Sequence, residues 1–155
     1  MDAIIGDLVM AEFQKLGFIR YAGIVAVEFA TGRHVVSIDP GPEHLNQNGD
    51  LHGPLLFGLA ETAAIGAAIS TIVGLVGDAF VVAKGGRIEY SARAESDAGP
   101  FIATSEVDAE LLDRVRTDAV ARRPVEFEVP VRVVDNTEKL VAEAFFTAVI
   151  RPPRT

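Results

Sequence analysis

The chain has 155 residues, nearly half of them apolar, with a formal net charge of −8 and no cysteine. That length supports one hydrophobic core, so a single domain over residues 1–155 is expected. The acidic balance argues against nucleic-acid binding, which needs a basic face for phosphates. The missing thiols exclude disulfides, a thiolate nucleophile and redox chemistry by the chain itself.

The start, Met1-Asp2-Ala3-Ile4-Ile5-Gly6-Asp7, lacks the basic stretch and apolar core of a secretory signal, which makes the cytoplasm the expected location. Ile4, Ile5, Leu8, Val9, Phe13 and Leu16 then recur at helical spacing. They predict an amphipathic helix over about 3–16, stopped at Gly17 and packed on the main body. Val25, Val27 and Phe29 alternate with Ala26, Glu28 and Ala30, and Thr31-Gly32-Arg33 breaks the run before His34–Ile38, as in two strands joined by a tight turn. Residues 39–54 are polar, aperiodic and rich in breakers, the composition of a long ordered loop.

The most apolar stretch, Leu55 to Val76, approaches a membrane span in length. It carries one acid, Glu61, and glycines at 58, 66 and 74, with Gly77 just beyond, which favours a buried central helix over a membrane segment. Proline suits a first helical turn, so this helix is expected to begin near Gly53-Pro54 and to end near Ile72 or Val73. Strands are expected at 79–83, 87–94 and 101–107, and a short helix at 108–122 with Leu111, Leu112, Val115 and Val120 on one side. Val125 to Val133 and Leu140 to Ile150 form a hairpin around Asp135-Asn136-Thr137. Gly49, Gly85 and Gly86 lack the spacing of a phosphate loop and are read as turn or bulge residues. Residues 151–155 are expected to fray. These elements add up to an α+β fold, a curved antiparallel sheet wrapped around one long helix.

A lone carboxylate in a small-residue helix has to be paired or used, so Glu61 is the first candidate for chemistry. Gly53 is the second: backbone N–H groups at a helix start lack internal partners and face developing negative charge, and a glycine lets a bulky ester or thioester approach. Glu61 follows Gly53 by eight residues, about 12 Å along a helix, so one protomer cannot bring both to one carbonyl. If both act, a two-fold dimer must set Glu61 of one chain opposite Gly53 of the other.

The segment Asn46-Gln47-Asn48-Gly49-Asp50-Leu51-His52-Gly53-Pro54-Leu55-Leu56-Phe57-Gly58-Leu59-Ala60-Glu61 resembles the signature of the hot-dog-fold acyl-CoA thioesterases, those related to the phenylacetate-pathway (PaaI-like) and 4-hydroxybenzoyl-CoA enzymes. There an Asn or Gln precedes a His-Gly-Gly element and an acid follows nine residues after the histidine. The order of the later elements looks most like the uncharacterised thioesterase-like (DUF4442-type) branch, so the resemblance runs from about residue 20 to the end. It implies hydrolysis of an acyl-CoA, with Glu61 as nucleophile or general base, Gly53 N–H polarising the carbonyl, Asn46 orienting water or the carbonyl, and His52 shaping the loop near the thioester. It also implies a homodimer, with a dimer of dimers as an option, and no cofactor.

Two departures stand out: Pro54 replaces the second glycine and removes an N–H, and Ile65 stands where some relatives carry a hydroxyl. Asn46 is equally compatible with an Asx turn, and Glu61 with a structural cap. Lys84, Arg87 and Arg93 are candidates for the coenzyme A phosphates or, equally, solvated strand positions. His34, His44 and His52 have no partners at ligand spacing, so no metal site is expected. The acyl group is expected in a slot beside the helix shaped by Leu56, Phe57 and Leu59. An acyl-CoA or lipid-like ligand-binding protein without turnover is the main alternative; a dehydratase of the same fold is poorly supported by the spacing.

Overall fold

Three features of the long helix decide how the rest is arranged: it begins on Gly53-Pro54, it is apolar on every side, and its buried positions are mostly alanine and glycine. Small side chains let strand backbone come close, and an all-round apolar helix needs cover on more than one face. In the computed structural model, which describes residues 1 and 3–153, this helix (α3, Gly53–Ser70) touches all six strands of a single sheet.

The strands are β1 (Ile24–Ala30), β2 (Arg33–Ile38), β3 (Phe80–Tyr90), β4 (Phe101–Glu106), β5 (Val125–Val134) and β6 (Leu140–Arg151). Their order is β1-β2-β4-β5-β6-β3, and every pairing is antiparallel. The sheet curls around α3: this is the hot-dog fold. The core between them is built from Leu56, Leu59, Ala60, Ala63, Ala64 and Ala67 on the helix and from inward residues such as Phe101, Val129, Val131 and Phe146 on the strands. Among the described residues α3 is the one helix long and apolar enough to cross a membrane, and it is the core helix of the domain, with half of that stretch buried.

The N-terminal segment differs from the expectation. Helix α1 covers Ala3–Phe13 and Gly17 opens a second helix, α2, over Gly17–Ala22 rather than ending the first. Nor does α1 pack through most of its large apolar residues: Ile4 and Leu8 are exposed, Phe13 is partly buried against the core, and the one residue it fully buries is Gly6. A Cβ at position 6 would stand 3.0 Å from the Phe29 carbonyl oxygen, so the missing side chain is what lets α1 approach β1. The Gln14 side chain then clamps the α1–α2 junction to the outer edge of β1, donating to the Ile24 carbonyl at 3.0 Å and accepting from the Ala26 N–H at 2.6 Å.

Bulges account for two further differences. An irregularity between Ala26 and Glu28 flips the face of β1, so Ile24 and Phe29 are buried while Val25 and Val27 are exposed, instead of Val25, Val27 and Phe29 sharing a face. A second one between Ala83 and Gly85 lets one continuous β3 replace the two strands expected at 79–83 and 87–94. Helix α4 (Ala109–Val120) is capped by Asp108, whose carboxylate accepts from the Leu111 N–H at 2.8 Å, but it buries Val115 and Ala119 and leaves Val120 in solvent. The tail is paired to Arg151, the last residue of β6; Arg154 and Thr155, also expected to fray, lie outside the described residues.

Candidate functional site

Glu61 sits on the face of α3 that the sheet does not cover. Pro54, Phe57, Gly58, Glu61, Thr62, Ile65, Gly66 and Ile69 follow one another at helical i+3 and i+4 steps and form the floor of a cleft of about 730 Å³. Its remaining walls are Phe13, Leu16, Phe18 and Ile19 from the α1–α2 region and Val81, Val82 and Ala83 from β3. Glu61 is the one ionisable group among these residues. It is half-buried, and among the described residues nothing hydrogen-bonds to it or pairs with it. It also borders a smaller groove lined by Phe57, Lys84, Gly85, Gly86 and Phe146. The slot is therefore on the opposite side of the helix from Leu56 and Leu59, which point into the core at 3% and 0% exposure; of the three residues expected to shape it, only Phe57 does.

The start of α3 offers one unused donor. His52 is the N-cap residue, with φ −62° and ψ 135°, and its carbonyl accepts from the N–H groups of Leu55 at 2.9 Å and Leu56 at 3.2 Å. Pro54 has no N–H. That leaves Gly53 N–H, from which no described residue accepts. The Gly53 carbonyl is held by the Tyr90 hydroxyl, which donates to it at 3.1 Å, so the peptide is fixed from β3. A side chain at position 53 would crowd that hydroxyl, its Cβ lying 3.2 Å from the oxygen.

Asn46 closes the loop before the helix. Its side-chain oxygen accepts from the N–H groups of Asn48 at 2.9 Å and Asp50 at 3.1 Å, an Asx-type turn that commits this oxygen to the backbone. His52 is exposed, and its ring makes no hydrogen bond to a described residue. His44 is buried and braces the same loop: its Nδ1 accepts from the Gly41 N–H at 2.9 Å and its carbonyl accepts from the His52 N–H at 2.9 Å. Among the described residues no three of His, Cys, Asp or Glu gather as metal ligands would.

Each of the three candidate phosphate-binding cations already has a carboxylate. Lys84 meets Glu126 at 2.8 Å and Arg87 meets Glu128 at 2.8 Å; the Arg87 hydrogen bond holds Glu128 below the usual carboxylate range. Arg93 grips the buried Asp50 with two hydrogen bonds, 2.9 and 3.0 Å, and also meets Glu95 at 3.1 Å. Asp50 is the partner that the sequence reading missed. Its only signal was an acid at the end of a breaker-rich loop, and the arginine it needs is 43 residues away.

The family model for a domain of unknown function, DUF4442, matches residues 8–150. The chain belongs to this family. No curated protein matches the chain. Among solved structures, PA5026 of Pseudomonas aeruginosa, a protein of unknown function described as a probable thioesterase, is 20% identical over 94% of each chain with a TM-score of 0.76. The PaaI protein of the phenylacetic acid degradation operon of E. coli is 20% identical, covering 95% of this chain and 92% of its own, with a TM-score of 0.70. Smu.793 of Streptococcus mutans, solved with acetyl CoA bound, is 20% identical over 85% of this chain and 91% of its own, with a TM-score of 0.62. These DUF4442-family and PaaI-like likenesses establish the shared hot-dog fold.

Proposed function

We propose that this protein hydrolyses an acyl-CoA to the free acid and coenzyme A, with Glu61 as nucleophile or general base and the Gly53 N–H of a partner protomer as the oxyanion donor. The observation that carries the reading is a half-buried carboxylate with no partner among the described residues, in the floor of an otherwise apolar cleft. As general base it takes a proton from water, the hydroxide adds to the thioester carbonyl, and the tetrahedral oxyanion collapses with cleavage of the C–S bond and departure of CoA thiolate. As nucleophile it adds to the carbonyl, the C–S bond breaks to expel CoA thiolate, and water then cleaves the resulting mixed anhydride to the free acid and the restored carboxylate. Both routes need the same carboxylate and the same donor.

Two features support a shared site. Gly53 N–H is the donor at the start of α3 that no described residue engages, and the eight-residue rise to Glu61, about 12 Å, keeps it from the carbonyl its own Glu61 would serve. Strand β3, 11 residues long, ends the sheet with an edge that no described strand pairs, the kind of edge that a second copy can cover. Asn46 and His52 are assigned to the loop that holds Gly53, and the coenzyme A phosphates are assigned to Lys84, Arg87 or Arg93 only by exchange with their present carboxylates.

The loss of a donor at Pro54 favours one second reading, acyl-CoA binding without turnover. CoA release from acyl-CoAs by the wild type and by Glu61→Gln separates the two. A fall of about 100-fold or more in the variant with binding kept is the expected outcome; binding with no turnover by either protein overturns hydrolysis.

A further inference from the structure

The N-terminal segment does not pack like a peripheral helix pair. Four of its apolar side chains, Phe13, Leu16, Phe18 and Ile19, line the cleft that holds Glu61, and two of them stay largely in solvent: Leu16 is 54% and Phe18 51% exposed. The Phe18 ring lies directly over Gly58, where an added Cβ would come within 2.8 Å of it. Phe13 stands further along the helix, edge-on to His34 with ring centres 5.2 Å apart, and His34 Nδ1 is 3.3 Å from the Thr62 carbonyl. Phe18 thus covers the helix one turn before Glu61, at Gly58, and Phe13 reaches it further along through the ring of His34. The Gln14 clamp on β1 holds both in place.

From Glu61 the floor continues through Ile65 to Ile69, eight residues or about 12 Å. Thr62 is the one uncharged polar side chain along it. A tail bearing a hydroxyl or a carboxylate would lose its water there with almost nothing to bond, and an acetyl group would leave most of the space unfilled. An unsubstituted aliphatic chain fits both constraints, and the volume is in the range of sites that bury a ligand of that size.

Building on the hydrolase reading, we propose that the α1–α2 segment is the roof of an acyl-tail site, that the substrate class is acyl-CoAs with plain aliphatic tails of medium length or longer, and that Phe18, Phe13 and Ile69 set the tail accepted. The tail lies along α3 between Glu61 and Ile69 with its thioester at Glu61.

Binding of S-alkyl-CoA thioethers, which have no ester to cleave, tests this by calorimetry on the full chain. Affinity is expected to rise about fourfold for each added methylene from ethyl to octyl and then level off. Phe18→Ala, a change at a half-exposed side chain, is expected to weaken octyl binding about tenfold and ethyl binding little, while Ile69→Phe moves the plateau to shorter chains. Equal affinity for ethyl and octyl, an ω-carboxyoctyl tail binding as tightly as octyl, or a Phe18→Ala profile that matches the wild type would each overturn the assignment. Octyl binding without CoA release from octanoyl-CoA would sink hydrolysis and leave the tail site standing.

Discussion

The imidazole of His34 occupies the space that any side chain at Gly66 would need; a Cβ there would overlap the ring itself. The ring cannot easily give way, because Phe13 and Phe29 hold it edge-on from two directions, with centres 5.2 and 5.3 Å away. Helix α3 meets β2 at this one missing side chain.

Gly66→Ala puts two effects in competition. Alanine favours the helix by about 1 kcal/mol, whereas overpacking a core costs about 1–3 kcal/mol. With the ring pinned, the clash is expected to win and the variant to lose up to about 2 kcal/mol in urea denaturation. A gain in stability would mean that the ring moves freely.

His34 also makes stability depend on pH. Burial lowers its pKa below the ordinary value, its Nδ1–H donates to the Thr62 carbonyl, and its Nε2 has no partner among the described residues. The unfolded chain therefore takes the proton more readily. Its contribution is absent above the unfolded pKa of about 6.5, and destabilisation grows as pH falls below that, until the lower folded pKa is passed. The slope from this one residue is at most about 1.4 kcal/mol per pH unit. Melting curves across this range for the wild type and His34→Phe check it: the variant is expected to have the flatter profile.

Arg93 is predicted to matter for the loop rather than for coenzyme A. Arg93→Ala strips the buried Asp50 of its charge partner, beside the turn that Asn46 closes, so the melting temperature should fall; a double variant with Asp50→Asn should recover part of that loss. An Arg93→Ala protein with unchanged melting and weakened CoA binding would return this residue to the phosphate site.

A shared active site predicts complementation. Glu61→Gln removes the carboxylate, and Gly53→Pro removes the free N–H; loss of one such donor costs about 100-fold or more. Mixed in equal amounts as refolded chains, the two inactive variants should regain roughly a quarter of wild-type activity, because each heterodimer rebuilds one intact site. If mixing restores nothing while heterodimers form, the carboxylate and the donor act within one chain.

What the sequence disclosed, and what it hid, follows from the range of the interactions involved. The start of α3 was legible because Gly53-Pro54 is a local signal, and the β5–β6 hairpin because its alternation and turn are contiguous. The second N-terminal helix was not, since glycine commonly ends a helix and Gly17 here begins one. The face of β1 was misread because a bulge leaves no mark on alternation. At the site, Glu61 stood out as a lone charge in an apolar run, but which face of an all-round apolar helix it occupies depends on how the sheet wraps, so Leu56 and Leu59 were assigned to the wrong side. The carboxylates that Lys84 and Arg87 meet, and the buried Asp50 that Arg93 grips, are about forty residues distant in sequence, beyond the reach of any local pattern.

Gln14 lends the outer rim of β1 an amide that copies the hydrogen bonds of a neighbouring strand. Fibre growth by strand addition needs a docking margin at both ends of the sheet. Gln14 occupies part of the β1 margin and disfavours strand addition there; in the two-fold dimer proposed above, a copy arriving by rotation would use up the β3 margin on both molecules and leave no open end there for a third.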